Sequence, residues 1–87
     1  MEYRILGRTG LRVSAVALGC EGFIHKTAEE VCADFDFAIA HGVNFVDIYS
    51  PNPELRTNIG AALEGRRGDF IIQGHLCTTW ENGQYLR

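Results

Sequence analysis

Two helix-start signals, each preceded and followed by a short apolar segment, constrain the fold of this chain most strongly. Thr27-Ala-Glu-Glu30 has the form of a capping box, in which Thr27 accepts a hydrogen bond from the third helical N–H and Glu30 reaches back. Asn52 followed by Pro53 is a second start signal, because asparagine caps helices and proline at the first helical position needs no N–H donor. These signals predict two helices, near residues 27–41 and 53–64.

Both predicted helices carry one apolar stripe. The apolar residues recur at intervals of three and four, which places them on one helical face, and each stripe is followed by a glycine that favours the left-handed end of a helix. The stripes and their terminal glycines are Val31, Phe35, Ala38, Ile39 and Gly42 in the first helix, and Leu55, Ile59, Ala62, Leu63 and Gly65 in the second.

Three segments without a helical period surround these helices and predict strands near residues 15–20, 44–48 and 69–74. A glycine-bracketed turn between two extended runs predicts a preceding hairpin over residues 3–14. The order implies right-handed βαβ crossovers and parallel strands. The predicted fold class is therefore α/β, with an N-terminal hairpin followed by a βαβαβ parallel unit. The tail from Cys77 to Arg87 has no readable period.

Composition excludes several functional classes. The 87 residues include 8 Lys and Arg against 11 Asp and Glu, which gives a formal charge of −3 and no basic run of the kind that nucleic-acid or membrane-surface proteins carry. The first residues lack the apolar core of a signal peptide, and no apolar stretch approaches the roughly 20 residues that span a bilayer. We expect a cytoplasmic protein without a nucleic-acid or membrane partner.

The ends of the predicted strands collect the residues that can perform chemistry. Cys20, Asp47, Tyr49 and His75 stand there, and the carboxyl ends of parallel strands meet at one rim of a sheet. A thiol, a carboxylate, a phenol and an imidazole at one rim could transfer protons or bind a metal. The carboxylate of Asp47 is the strongest functional candidate, because burying it at the end of an apolar strand is costly unless a partner compensates its charge.

Each of these residues also has a structural interpretation. Cys20 behind Gly19 fits a small buried filler, and Tyr49 fits an amphipathic residue at a rim. The three cysteines are odd in number and have no Cys-x-x-Cys spacing, which indicates reduced thiols. His75-x-Cys77 places two soft ligands on one face of an extended segment, but two ligands without a third do not define a metal site. We therefore predict no metal site from this chain.

Four phrases of the sequence resemble the N-terminal region of the aldo-keto reductases. They are Leu6-Gly-Arg-Thr-Gly-Leu-Arg-Val-Ser14, Ala17-Leu-Gly-Cys20, His41-Gly-Val-Asn-Phe-Val-Asp47 and Asn58-Ile-Gly-Ala-Ala-Leu63, and the match extends over about residues 3 to 76. The resemblance implies a (β/α)8 TIM barrel, a fold of about 250 residues. Residues 1–87 would form the N-terminal portion of one such barrel, with its hairpin and three of its eight strands.

The resemblance also implies site residues. Members of the family use an Asp, a Tyr that donates a proton, a Lys and a His. Asp47 matches the family Asp, whereas Tyr49 stands two residues after it instead of five, and His75 occupies the position of the Lys. The catalytic residues implied are Asp47, Tyr49 and His75, and the cofactor-binding residues implied are Gly19, Cys20 and Asp47.

The function implied is that of the N-terminal part of an oxidoreductase that reduces small-molecule carbonyls to alcohols with NADPH or NADH. The remaining barrel strands, or other copies of the chain, would be its partners, and the 87 residues alone are expected to be inactive. Two alternatives stay open: a metal-dependent barrel hydrolase that uses Asp47, His75 and a later ligand, and a non-catalytic βαβ module that self-associates through its unpaired strand edges.

Overall fold

A computed structural model describes residues 1–76 and 78–86 of the chain. It contains seven strands and two α-helices within these residues, in an order that confirms the predicted α/β class. The elements are β1 (Tyr3–Ile5), β2 (Arg12–Ser14), β3 (Leu18–Gly19), α1 (Ala28–Ala40), β4 (Phe45–Ile48), α2 (Pro53–Leu63), β5 (Ile71–Gly74), β6 (Thr79–Glu81) and β7 (Gln84–Leu86).

Both helices begin at the predicted caps. The Thr27 hydroxyl accepts the N–H of Glu30 at 3.1 Å, and the Glu30 carboxylate accepts the N–H of Thr27 at 3.2 Å. These hydrogen bonds from Thr27 lower the pKa of the Glu30 carboxyl below its ordinary value. At the start of α2, the side-chain oxygen of Asn52 accepts the N–H of Leu55 at 3.0 Å, and Pro53 is the first helical residue. Local hydrogen bonding therefore determines where each helix begins.

The central sheet is parallel, with strand order β3-β4-β5. Its register places Asp47 beside Gly19 on one side and Gln73 on the other. Side chains alternate between the two faces of a strand, so Val46 and Asp47 point in opposite directions. Val46 is fully buried in the core, whereas the side chain of Asp47 is 37% exposed. One face of the sheet therefore packs on the helices, and the other face presents Asp47 and Gln73.

The hydrophobic core lies between the sheet and the two helices. The rings of Phe23 and Phe70 pack on either side of Phe35, with centroid distances of 5.9 and 5.5 Å. The remaining buried members of this cluster come mostly from the predicted apolar stripes, and they are Cys20, Val31, Val46, Leu55, Ile59, Ala62 and Leu63. Most of each stripe thus faces the core, whereas Ile39 at the end of the first stripe is 38% exposed.

The N-terminal hairpin is attached to the segment that leads into β4. The Tyr3 hydroxyl donates to the carbonyl of Gly42 at 2.7 Å. Asn44 accepts the N–H of Ser14 at 2.7 Å and donates its own N–H to the Ser14 hydroxyl at 3.1 Å. The hairpin therefore packs at the amino end of β4, opposite to the end where Asp47 lies.

Strand β3 is shorter than the segment predicted near residues 15–20. The N–H of Ala15 bonds to Glu2 at 2.7 Å and so continues the hairpin, and the Ser14 hydroxyl donates to the carbonyl of Val16 at 2.7 Å. Val16 is 59% exposed. The apolar run fails to form a longer strand because its first part makes the corner between the hairpin and the sheet.

A second hairpin, β6–β7, was absent from the sequence-based prediction. Asn82 and Gly83 form its turn with positive φ angles of 51° and 78°. Asn-Gly is the preferred dipeptide for such a two-residue turn, because both positions need φ above zero. Residues Arg67–Asp69 form a short 3-10 helix, so β5 begins at Ile71 instead of near residue 69. Cys77 and Arg87 lie outside the described residues.

Among the helices within residues 1–76 and 78–86, none is long and apolar enough to cross a membrane.

The capping box predicts a measurable stability difference. Replacing Thr27 by Ala removes the acceptor for the Glu30 N–H and should lower the free energy of unfolding by about 1 kcal/mol, as measured by urea denaturation at pH 7. Thr27→Ser retains a hydroxyl and should cost much less. Because folding lowers the pKa of Glu30, its contribution is present at neutral pH and is lost as the pH falls through the carboxyl titration. Equal stability of the Ala and Ser variants would contradict this assignment.

Candidate active site

Asp47 and His75 meet at the carboxyl ends of two neighbouring strands. The register of β4 and β5 pairs Ile48 with Gly74, so the chain reaches His75 directly beyond the last paired residue. Nε2 of His75 lies 2.6 Å from Oδ1 of Asp47, and the side chains are 33% and 37% exposed. The Gln73 side-chain amide donates to the same oxygen at 3.3 Å. Asp47 therefore receives two donors from the neighbouring strand and its extension.

This contact orients the imidazole. An ionised carboxylate can only accept hydrogen bonds, so Nε2 of His75 is the nitrogen that carries a hydrogen toward Asp47. A carboxylate that holds one ring nitrogen in this way fixes the direction of the ring and leaves Nδ1 for a second interaction. The pair of Asp47 and His75 is thus suited to acid–base chemistry or to stabilising a developing negative charge.

Tyr49 completes the cluster. It follows β4 directly after Ile48, and its half-buried ring packs edge-to-face on His75 with a centroid distance of 5.1 Å and an interplanar angle of 86°. The structure thus brings together the three residues predicted to be catalytic, Asp47, Tyr49 and His75. A carboxylate, an imidazole and a phenol follow one another across one rim of the sheet.

The side chain of Cys20 is not part of this cluster. Its side chain is 1% exposed, belongs to the hydrophobic core and donates weakly to the carbonyl of Leu18 at 3.7 Å. Burial, and to a smaller extent the negative charge of Asp47, raises the pKa of the Cys20 thiol to about 12. The expectation that the thiol shares the rim is therefore wrong. The structural interpretation of Cys20 as a buried filler describes its side chain.

Gly19 lies beside Asp47 on the open face of the sheet. A Cβ atom built at Gly19 would meet no atom within 4 Å, so packing within the described residues does not require glycine there. The backbone N–H of the next residue, Cys20, donates to the carbonyl of Asp47 at 3.1 Å. The cofactor contacts of Gly19, Cys20 and Asp47 stay predictions.

Sequence reasoning missed two residues at this rim, Ser50 and Tyr85. Ser50 is fully buried, and its hydroxyl accepts the N–H of Asn52 at 3.2 Å and the hydroxyl of Tyr85 at 3.0 Å. The ring of Tyr85 also packs on Tyr49, with a centroid distance of 5.9 Å. The Asn82-Gly83 turn signal would have located the hairpin that carries Tyr85, although nothing in the sequence indicates where that hairpin packs.

Within the described ranges, 1–76 and 78–86, no three side chains of His, Cys, Asp or Glu come together as a metal-binding group. Of the pair His75 and Cys77 singled out in the sequence, Cys77 lies outside those ranges.

Comparison with known proteins finds similarity to one named oxidoreductase and to aldo-keto reductase structures. No family model matches it. Over 85 residues it is 29% identical to YqkF, an uncharacterized oxidoreductase of Bacillus subtilis strain 168, in a match that covers 95% of this chain and 28% of YqkF. Two solved structures of a protein from Pseudomonas aeruginosa assigned to the aldo-keto reductases match with a TM-score of 0.84 and 27% identity. Each of those matches covers 97% of this chain and 34% of the solved one.

These matches show which class of protein the chain resembles. The structural neighbours are aldo-keto reductases, which confirms the resemblance seen in the sequence. The hairpin, the parallel sheet and the two helices correspond to one part of an aldo-keto reductase barrel, and the sheet formed by the described residues is not closed. The chain spans about a third of the length of these relatives.

The burial of Cys20 predicts its reactivity. At pH 8 in native buffer, iodoacetamide should modify the half-buried Cys32 faster than Cys20, because only a thiolate reacts and the pKa of Cys20 is raised to about 12. Peptide mapping by mass spectrometry separates the cysteines. In urea the two should react at similar rates, which serves as the control. Native labelling of Cys20 as fast as that of Cys32 would contradict the buried position of its thiol.

Proposed function

We propose that this chain contributes to the active site of an NAD(P)H-dependent oxidoreductase that reduces a small-molecule carbonyl to an alcohol. The observation that carries the proposal is the 2.6 Å contact between Asp47 and His75, with the Tyr49 ring packed on the imidazole. All three lie at the carboxyl ends of parallel strands, which is where barrel enzymes of this architecture perform their chemistry. The oxidoreductase relatives support the same assignment.

The residues on the open face of the sheet fit the nicotinamide end of such a cofactor. Gly19 leaves the surface beside Asp47 without a side chain, and a Cβ there would meet nothing within 4 Å. The Asp47 carboxylate and the Gln73 amide can hydrogen-bond to ribose hydroxyls and to a carboxamide. The thiol of Cys20 is buried, its N–H donates to the carbonyl of Asp47, and its carbonyl accepts the N–H of Phe23 at 3.0 Å, so only the second lone pair of that carbonyl could accept from a cofactor. When bound, the cofactor supplies a hydride to the carbonyl carbon.

Tyr49 would donate its phenolic proton to the carbonyl oxygen as negative charge develops there. The imidazole of His75, which Asp47 holds in place, would in its protonated form stabilise the phenolate that the proton leaves behind. Solvent then returns a proton to Tyr49. In this assignment Tyr49 is the general acid, His75 stabilises the negative charge left on Tyr49, and Asp47 orients His75.

The outer strands also fit a larger assembly. β3 and β5 each pair on one side within the described residues, so each has an edge available for a further strand. An apolar groove along α2 and the sheet is lined in part by Ile48, Ile59 and Ile72. Further strands and helices of the same barrel would cover these surfaces, and a second copy of the chain is the alternative occupant. The cytoplasm is the location that fits a reductase of this kind.

Nucleotide binding is tested with the protein encoded by the longest reading frame that contains residues 1–87. We expect NADPH or NADH to show quenching or enhancement of its fluorescence on titration with that protein. The 87 residues alone should give no turnover. Absence of nucleotide binding together with tight stoichiometric zinc would favour the metal-dependent hydrolase, and a mass that rises with concentration in light scattering, without nucleotide binding, would favour the self-associating module.

The role of Tyr49 is tested by removing its hydroxyl. Tyr49→Phe should lower kcat for carbonyl reduction by about 100-fold or more, because the proton donor is lost, while the Kd for the nucleotide stays within about twofold. Tyr3→Phe, which removes a phenol at the opposite end of the sheet, is the matched control and should leave kcat unchanged. Full activity of Tyr49→Phe would assign the proton to another group.

A further inference from the structure

The four rings of Trp80, Tyr85, Tyr49 and His75 contact one another in that order, and His75 contacts Asp47. Trp80 on β6 packs edge-to-face on Tyr85 of β7, with a centroid distance of 4.8 Å and an angle of 80°. Tyr85 packs on Tyr49 at 5.9 Å, and Tyr49 packs on His75 at 5.1 Å. The second hairpin therefore approaches the rim through aromatic contacts, and Tyr49 contacts both His75 and Tyr85.

Tyr85 is also anchored by its hydroxyl. The phenol donates to the Ser50 hydroxyl at 3.0 Å, and Ser50 has no exposed surface. The carbonyl of Ser50 accepts Nε of Arg56 at 2.9 Å, and its hydroxyl accepts the N–H of Asn52, the cap of α2. Ser50 follows Tyr49 directly in the sequence. The anchor of Tyr85 thus lies on the short connection that carries Tyr49 and is itself fixed to the start of α2.

We propose that Tyr85 is a positioning residue that holds the ring of Tyr49 against His75. This inference rests on the proposed function, in which Tyr49 donates the proton. Tyr49 is half-buried on a connection between two elements, and Tyr85, as an aromatic neighbour in addition to His75, restricts rotation of its ring. A proton donor acts efficiently only within a narrow range of positions, so a residue that restricts its ring contributes to the rate without touching the substrate.

A purely structural role for Tyr85 would have a different signature. If Tyr85 only fastened the hairpin to Ser50, its removal would affect stability and leave the environment of His75 unchanged. If it positions Tyr49, its removal must change the ring current that His75 experiences from the edge-to-face contact with Tyr49. The ring protons of His75 therefore distinguish the two roles.

The test compares the histidine ring resonances of the chain by NMR in four variants. Tyr85→Ala removes the ring and the hydroxyl, Tyr85→Phe removes only the hydroxyl, and Ser50→Ala removes the acceptor. Tyr3→Phe is the matched control, because it deletes a phenol hydrogen bond of 2.7 Å at the opposite end of β4. A His75→Gln sample assigns the His75 signals among the three histidines.

We expect the His75 signals in Tyr85→Ala to move toward those of the exposed His25, with a smaller displacement in the same direction in Tyr85→Phe and Ser50→Ala and none in Tyr3→Phe. The proposal would be overturned if the Tyr85→Ala variant folds and its His75 signals are unchanged. Should Tyr85→Ala not fold, Tyr85→Phe and Ser50→Ala decide: displacement in both supports the proposal, and displacement in neither overturns it.

A kinetic comparison on the longest reading frame separates this proposal from the proposed function. Tyr85→Ala should lower kcat by about 10- to 100-fold while leaving KM for the nucleotide unchanged, and Tyr3→Phe should leave both unchanged. If the parent protein reduces no carbonyl but the His75 signals move, the proposed function fails and Tyr85 still positions Tyr49. If the parent is active and neither readout responds to Tyr85→Ala, the positioning role fails alone.

Discussion

The parallel register of β4 with its two neighbours is the constraint on which both the core and the site depend. β4 is the central strand, and the alternation of its side chains sends Val46 into the core and Asp47 to the opposite face. A shift by one residue would bury the carboxylate among phenylalanine rings, at a high desolvation cost. The same register aligns Ile48 with Gly74, which is why His75 reaches Asp47. Packing of Val46 on one face of the sheet thereby determines where Asp47 and His75 lie on the other face.

Features set by local interactions could be predicted from the sequence, whereas features set by tertiary contacts could not. Thr27 and Asn52 cap their helices as predicted, because a cap involves residues within one turn. The apolar run before Leu18 was predicted as strand, but its hydrogen bonds go to the N-terminal hairpin, a competition that a local pattern does not reveal. The Asn82-Gly83 dipeptide is a local signal for a two-residue hairpin turn within a tail that otherwise has no period.

The site divides in the same way. Placing Asp47 and His75 at strand ends follows from the order of elements, and their convergence follows from parallel pairing. The direction of each side chain depends on the exact strand boundary, so Cys20 was assigned to the rim although its thiol enters the core. The contact between Tyr85 and Ser50 joins residues 35 positions apart through a hairpin with no predicted location. No local pattern in the sequence specifies such a contact.

An imidazole at position 75 contacts a neighbouring tyrosine in a different way from a lysine ammonium group. Lysine has three donors and can bond to a carboxylate and a phenol at once, whereas His75 directs Nε2 to Asp47 and packs edge-to-face on the ring of Tyr49. Such ring contacts contribute about 0.5–1.5 kcal/mol beyond burial, which holds a tyrosine less firmly than a charge-assisted hydrogen bond. A further contact on the tyrosine ring therefore adds to its restraint. The ring of Tyr85, anchored on buried Ser50, supplies such a contact.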